Sequence, residues 1–172
     1  MRFTVTGEQR RNPLLATIIL LFLGYILLLW LTNTLLFFRD MGLTYDAVVH
    51  YYLGNPEEFT KPRSFSGMLE VSHFHMFAMG ILVMTLVHLM LFAEISTRAK
   101  QLGLWAPFLF AVANEAAGWL TRFVAEPFAY LKITTFLGLQ VSLLGVVIVV
   151  GWSLVARRRN GYRSAEALAR SR

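Results

Sequence analysis

Apolar residues gather into four long blocks, 14–38, 68–94, 104–124 and 133–155, separated by stretches rich in charge, glycine and proline. Each block is long enough to cross a bilayer as a helix, which takes about 20 residues. The pattern predicts an all-α membrane protein, a four-transmembrane-helix bundle that occupies 1–172 as a single integral membrane domain with no internal repeat. The first connection, 39–67, is long for a small bundle. Within it Thr44 can act as N-cap, Tyr45, Val48, Val49 and Tyr52 recur at helical spacing, and Gly54 can end the turn. These residues predict a short amphipathic helix in the first outer loop, lying at the membrane interface. Asn55 to Gly67, with Pro56 and Pro62, reads as irregular loop. The stretches 97–103 and 125–132 read as short connections, which makes the last three blocks antiparallel neighbours. Gly138, Ser142 and Gly145 fall near one side of the fourth block, where another helix can approach closely.

The distribution of positive charge orients the blocks. Arg2, Arg10, Arg11, Arg98, Lys100, Arg157, Arg158, Arg159, Arg163, Arg170 and Arg172 fall on one side, against Arg39, Lys61, Arg63, Lys132 and Arg122 on the other. The positive-inside rule then places both termini in the cytoplasm. The first block is too long for a signal-peptide core and no small-residue cleavage site follows Phe38, so it is expected to stay as an anchor. The net charge of +6 comes largely from the arginine tail and reads as topology and contact with membrane lipids, with no nucleic acid partner. The chain has no cysteine, which excludes disulfides, c-type haem attachment, iron–sulfur clusters and thiolate metal sites within it.

Three of the four histidines lie on the second block, in Glu70-Val-Ser-His73-Phe-His75-Met-Phe-Ala-Met79-Gly80 and at His88. Ionisable groups at membrane depth are functional candidates. On a helix, His73 and His88 come within about 60° of one another and about 22 Å apart along the axis, with Phe77, Gly80 and Met84 between them. A glycine on that face lets a flat macrocycle reach the backbone. His75 turns away by about 200° and shares its side with Met79. The spacing of His73 and His88 resembles the ligand helices of the cytochrome b family, which implies a b-type haem. In that family a second helix supplies the opposing histidines, whereas here only His50, in the outer loop, remains. A haem then needs a homodimer, a larger membrane complex, or a methionine axial ligand. The group His73, His75, Met79 and His50 also raises copper, which favours imidazole and thioether. Against both stands a structural reading, in which the histidines hydrogen-bond neighbouring helices and the methionines pack.

The third block carries Asn114 and Glu115 near its middle, where an unpartnered carboxylate costs several kcal/mol. Trp119 and Arg122 follow on the same side. Arg122 is within reach of Glu126, of Glu70 or of a haem propionate. Glu70, Glu115, Trp119 and Gln140 form a candidate quinone or proton site, with a buried hydrogen-bond network that fixes helix order as the plain alternative.

Tyr51-Tyr-Leu-Gly54, Pro62-Arg63-Ser64 and Leu69-Glu-Val-Ser-His-Phe-His75 resemble a family of small four-span bacterial inner-membrane proteins of unassigned function. The resemblance implies a multi-pass protein of the bacterial cytoplasmic membrane. Some members carry the name of an elongation factor, which a chain without a nucleotide-binding loop does not support. The combined expectation is a redox-associated membrane subunit that contributes His73, His88 or His75, with Arg122, to a haem b site, with quinol-linked electron transfer as its candidate role. The alternatives are a cofactor-free accessory or assembly subunit of a respiratory complex, or a copper-handling protein. In each case it is an electron-transfer or accessory subunit more than an independent enzyme.

Overall fold

The computed structural model describes residues 13–170, with side chains as far as Val155. Five helices and no strand occur among the described residues: α1 (Pro13–Asp40), α2 (Tyr45–Leu53), α3 (Phe65–Leu91), α4 (Thr97–Phe123) and α5 (Phe128–Arg170). Arg2, Arg10, Arg11 and Arg172, invoked above for orientation, lie outside the described residues, as do the side chains of the other tail arginines.

Each boundary has a local cause. The Thr44 hydroxyl accepts from the amide of Ala47 to open α2, and Gly54, at a positive φ of 80°, closes it by donating to the His50 carbonyl. Ser64 caps α3 through the Gly67 amide, so the helix begins three residues before the expected 68 and its first turn uses part of the stretch read as loop. Ser96 caps α4 through the Ala99 amide. The stretch 97–103, expected as a connection, is therefore the first two turns of α4, and the true link is confined to 92–96. The polar residues there face outward on a helix, which satisfies the same chemistry as a loop. Likewise α5 begins at Phe128, well before the expected 133.

Among the described residues, Pro13–Asp40, Phe65–Leu91 and Phe128–Val155 are long and apolar enough to cross a membrane. Helix α4 matches α3 in length, at 27 residues, but its apolar run is broken by Asn114, Glu115 and charges near both ends. Large apolar side chains stand exposed on every long helix, among them Leu21, Phe77, Leu109 and Val141. Such a surface suits lipid and not water.

Helix α5 is the hub. It packs most extensively on α4 and also meets α1, α2 and α3. The main core joins Leu23 and Ile26 of α1, Val83, Leu86, Val87 and Met90 of α3, and Leu139, Leu143, Val146 and Val150 of α5. Gly138 lets the Phe110 ring of α4 lie against α5, whereas Gly145 has open space beside it, so of these two glycines the first marks a close helix approach. A second cluster seats α2 on the bundle through Val48 and Tyr52, packed with Met68 and Ala129. Helix α2 is thus docked on α4 and α5 by two buried side chains.

Candidate functional site

Two groupings of polar side chains lie inside the apolar bundle. The first centres on Glu115. Ser72, buried on α3, donates from its hydroxyl to the Glu115 carboxylate and accepts from Trp119 Nε1 at 2.8 Å. One hydroxyl thereby joins two α4 side chains a helical turn apart to α3. Phe65 meets the Trp119 ring edge-on at 5.3 Å and holds it against α4. Opposite, Lys132 reaches out of α5 and donates to the Asn114 carbonyl at 3.0 Å. Lys132 was read from sequence as a charge of the outer side; it is 6% exposed, and its ammonium stands 6.0 Å from the centre of the Tyr52 ring. A lysine this buried persists because the backbone carbonyl and the nearby Glu115 charge replace its hydration.

Tyr52 completes the grouping from above. Burial, with Tyr51 and the Glu115 charge as smaller contributors, raises its phenol well above the ordinary tyrosine range and keeps it neutral. Tyr45, farther out on α2, is also raised, first by partial desolvation and then by the Glu126 carboxylate, to which its hydroxyl donates at 3.4 Å.

Arg122 does not bond Glu126 or Glu70. Its Nε donates to the Arg63 carbonyl at 2.8 Å, tying α4 to the loop before α3, while the Arg63 guanidinium covers the Tyr51 ring at 4.1 Å. Glu70 is exposed on the first turns of α3. Arg122 is therefore a clamp for the loop, because a free backbone carbonyl lies nearer than either carboxylate.

The second grouping lines a half-open cavity of about 270 Å³ between α1, α3 and α5. Its walls are apolar apart from Asn33, His75, Trp30 and Gln140. Trp30 Nε1 donates to the Gln140 backbone carbonyl at 3.0 Å. The Gln140 side chain is 5% exposed, and neither its oxygen nor its nitrogen has a hydrogen-bond partner among the described residues. A buried amide left unpaired costs about 1–3 kcal/mol, so it marks a place where something polar belongs. His75 and Met79 share this wall, in agreement with the side they share by helical spacing.

His73 and His88 are exposed on the outward face of α3, with Phe77 and Met84 between them and nothing within 4 Å of a β-carbon built on Gly80. That face is open to lipid or to another chain. His50 is exposed on α2. The structure unites Glu115 with Trp119, and Gln140 with His75, but not these two pairs with each other. No group of three or more His, Asp or Glu that could hold a metal ion occurs among the described residues. Ser72, Lys132, Asn33 and Trp30 were missed as site residues. Ser72 had a signal, since it falls in helical register with the bundle-facing Met68, Met79, Val83 and Met90.

A family model of a transmembrane helical domain matches residues 42–161, from just before α2 into the later turns of α5. No curated protein and no solved structure matches the chain.

Proposed function

The chain belongs to the transmembrane helical domain family, and from that premise we propose a four-span subunit of a redox assembly in the bacterial inner membrane, whose α1/α3/α5 cavity receives the ring of a quinone-type electron carrier. The observation that carries this reading is an apolar cavity with the buried, unpaired Gln140 amide behind its α5 wall. A quinone ring is flat and apolar with a carbonyl at each end. A turn of the Gln140 side chain into the cavity would bring its N–H to a carbonyl of the oxidised form and its oxygen to a hydroxyl of the reduced form, and His75 on the facing helix can give or take a proton. The cavity volume suits a single substituted ring.

The fourth span is α4. Its polar side chains are directed at Ser72 and the loop carbonyl of Arg63, which makes its sequence compatible with the bilayer despite its charges. Both termini are cytoplasmic, in keeping with the arginine and lysine distribution.

The test uses decyl-ubiquinone titrated into the purified protein in detergent, read by quenching of tryptophan fluorescence, since Trp30 lines the cavity. Saturable quenching is expected, with at least tenfold weaker affinity in Gln140→Leu. Equal affinity in that variant, or no saturation, overturns the reading.

A second reading, b-type haem on α3, is favoured by the open face on which His73, Gly80 and His88 stand together. It requires a facing ligand from another chain or a second copy. A reduced-minus-oxidised spectrum of the parent protein beside His73→Ala, His88→Ala and His75→Ala tests it: loss of a low-spin signal in the first two supports it, and a featureless parent overturns it. A protein with neither quinone nor haem is a cofactor-free accessory subunit.

A further inference from the structure

The cavity has an unclosed side. Helices α1 and α3 each rest on α5 but scarcely touch each other. At the gap stand Leu27 and Leu29 of α1, 42% and 41% exposed, and on α3 the exposed Phe74 and Ala78. Ala78 is the one small side chain among these four, a helical turn from His75.

Depth along the helices is also fixed. Trp30 lies ten residues before the outer end of α1, His75 ten residues after the start of α3, and Gln140 twelve after the start of α5. At 1.5 Å per residue these are about 15–18 Å below the helix ends, roughly the middle of a hydrocarbon core of about 30 Å. The hydrogen bond from Trp30 to Gln140 confirms the common level. The polar end of the cavity is therefore remote from water on both sides, and the short way to it runs sideways through lipid.

We infer that the α1/α3 gap is a lateral portal, through which an alkyl- or prenyl-tailed ring enters from the bilayer and in which its tail remains while the ring meets Gln140. The inference rests on the quinone reading of the cavity and adds the direction of entry and the requirement for a tail. A lipid acyl chain alone fits the apolar walls but leaves the Gln140 amide unpaired.

Ala78→Trp and, from the facing wall, Leu27→Trp narrow the gap; both positions also line the cavity, so the tail-less ring serves to detect a blocked pocket, and a failure of one variant to fold leaves the other. Folding is checked by far-UV circular dichroism. Each variant and the parent are titrated with decyl-ubiquinone and with its tail-less dimethoxy-methyl-benzoquinone counterpart. Tenfold weaker binding of the tailed ligand, with the tail-less one within about threefold of the parent, is expected. Unchanged binding of both overturns the portal and leaves the site standing; equal loss of both overturns it as well, because the ring pocket itself is then blocked. If neither ligand binds the parent, the functional reading falls first. Displacement of the quinone by added phosphatidylcholine at similar concentration makes the groove an acyl-chain site and overturns the portal.

Discussion

The phenol of Tyr52 lies against Gly118, so close that a β-carbon on residue 118 would stand 2.6 Å from the phenolic oxygen. Only a glycine on α4 admits the ring, and the ring is what anchors α2. Gly118→Val is expected to expel Tyr52 and release α2, with a loss of about 2–4 kcal/mol from the lost aromatic burial. Protease cleavage in the segment 54–64 of the variant, absent in the parent, checks it.

The pH dependence of that seat follows from the raised Tyr52 phenol. In the folded protein the phenol keeps its proton above the pH, about 10, at which an unfolded tyrosine loses it. Above that pH the unfolded state binds fewer protons than the folded one, so stability falls as pH rises and is fully present below it. Tyrosinate absorbance on alkaline titration should show Tyr52 ionising only together with loss of α2 helicity, and Tyr52→Phe should abolish that late step.

Ser72 is expected to matter more than its size suggests. Ser72→Ala deprives both Glu115 and Trp119 of their partner, at about 1–3 kcal/mol for each group left unpaired. Glu115→Gln keeps an acceptor for the Ser72 hydroxyl and should cost less. Unfolding in mixed micelles ranks the two, and a milder effect for Ser72→Ala contradicts the network.

Lys132 of α5 donates to the carbonyl of Asn114, the residue before Glu115 on α4, and so brings its ammonium within the influence of the Glu115 charge. Lys132→Met should destabilise by leaving Glu115 without a compensating charge, and Lys132→Met with Glu115→Gln should recover part of the loss. A coupling of about 1–3 kcal/mol in the double-mutant cycle is expected. Additive losses show that the two charges do not sense each other.

Reporter fusions supply the topology test. Insertions at Gly54 and in the α3/α4 turn near Ile95 should report opposite sides of the membrane, with Ile95 cytoplasmic. The reverse assignment overturns the proposed orientation.

Helix α2 was legible because its information is local: Thr44 and Gly54 are the groups that satisfy its own ends. The pairing of His75 with Met79 was legible for the same reason, being a matter of helical angle. The starts of α3 and α4 were not, since Ser64 sits behind Pro62 and the first turns of α4 carry polar residues that read as loop. Lys132 followed a proline turn and looked like a surface cation. Its burial depends on α2 folding back over it, which hydropathy does not record. Gln140 was singled out from sequence, but its company was not, because nothing in a periodic pattern says that α5 turns that residue toward α1 and His75. The direction of the His73 and His88 face is of the same kind: spacing shows that they share a face, and only packing shows that it is the outward one.

The polar stripe of α4 has a consequence for biosynthesis on the four-span reading. A helix leaving the translocation channel is judged by its own side chains, and a central acidic residue costs about 2.5–3.5 kcal/mol there. Helix α4 has Glu115 near its middle, while the lysine that compensates it is made later, on α5. On that reading the two segments should enter the bilayer together, as one hairpin joined at 124–127.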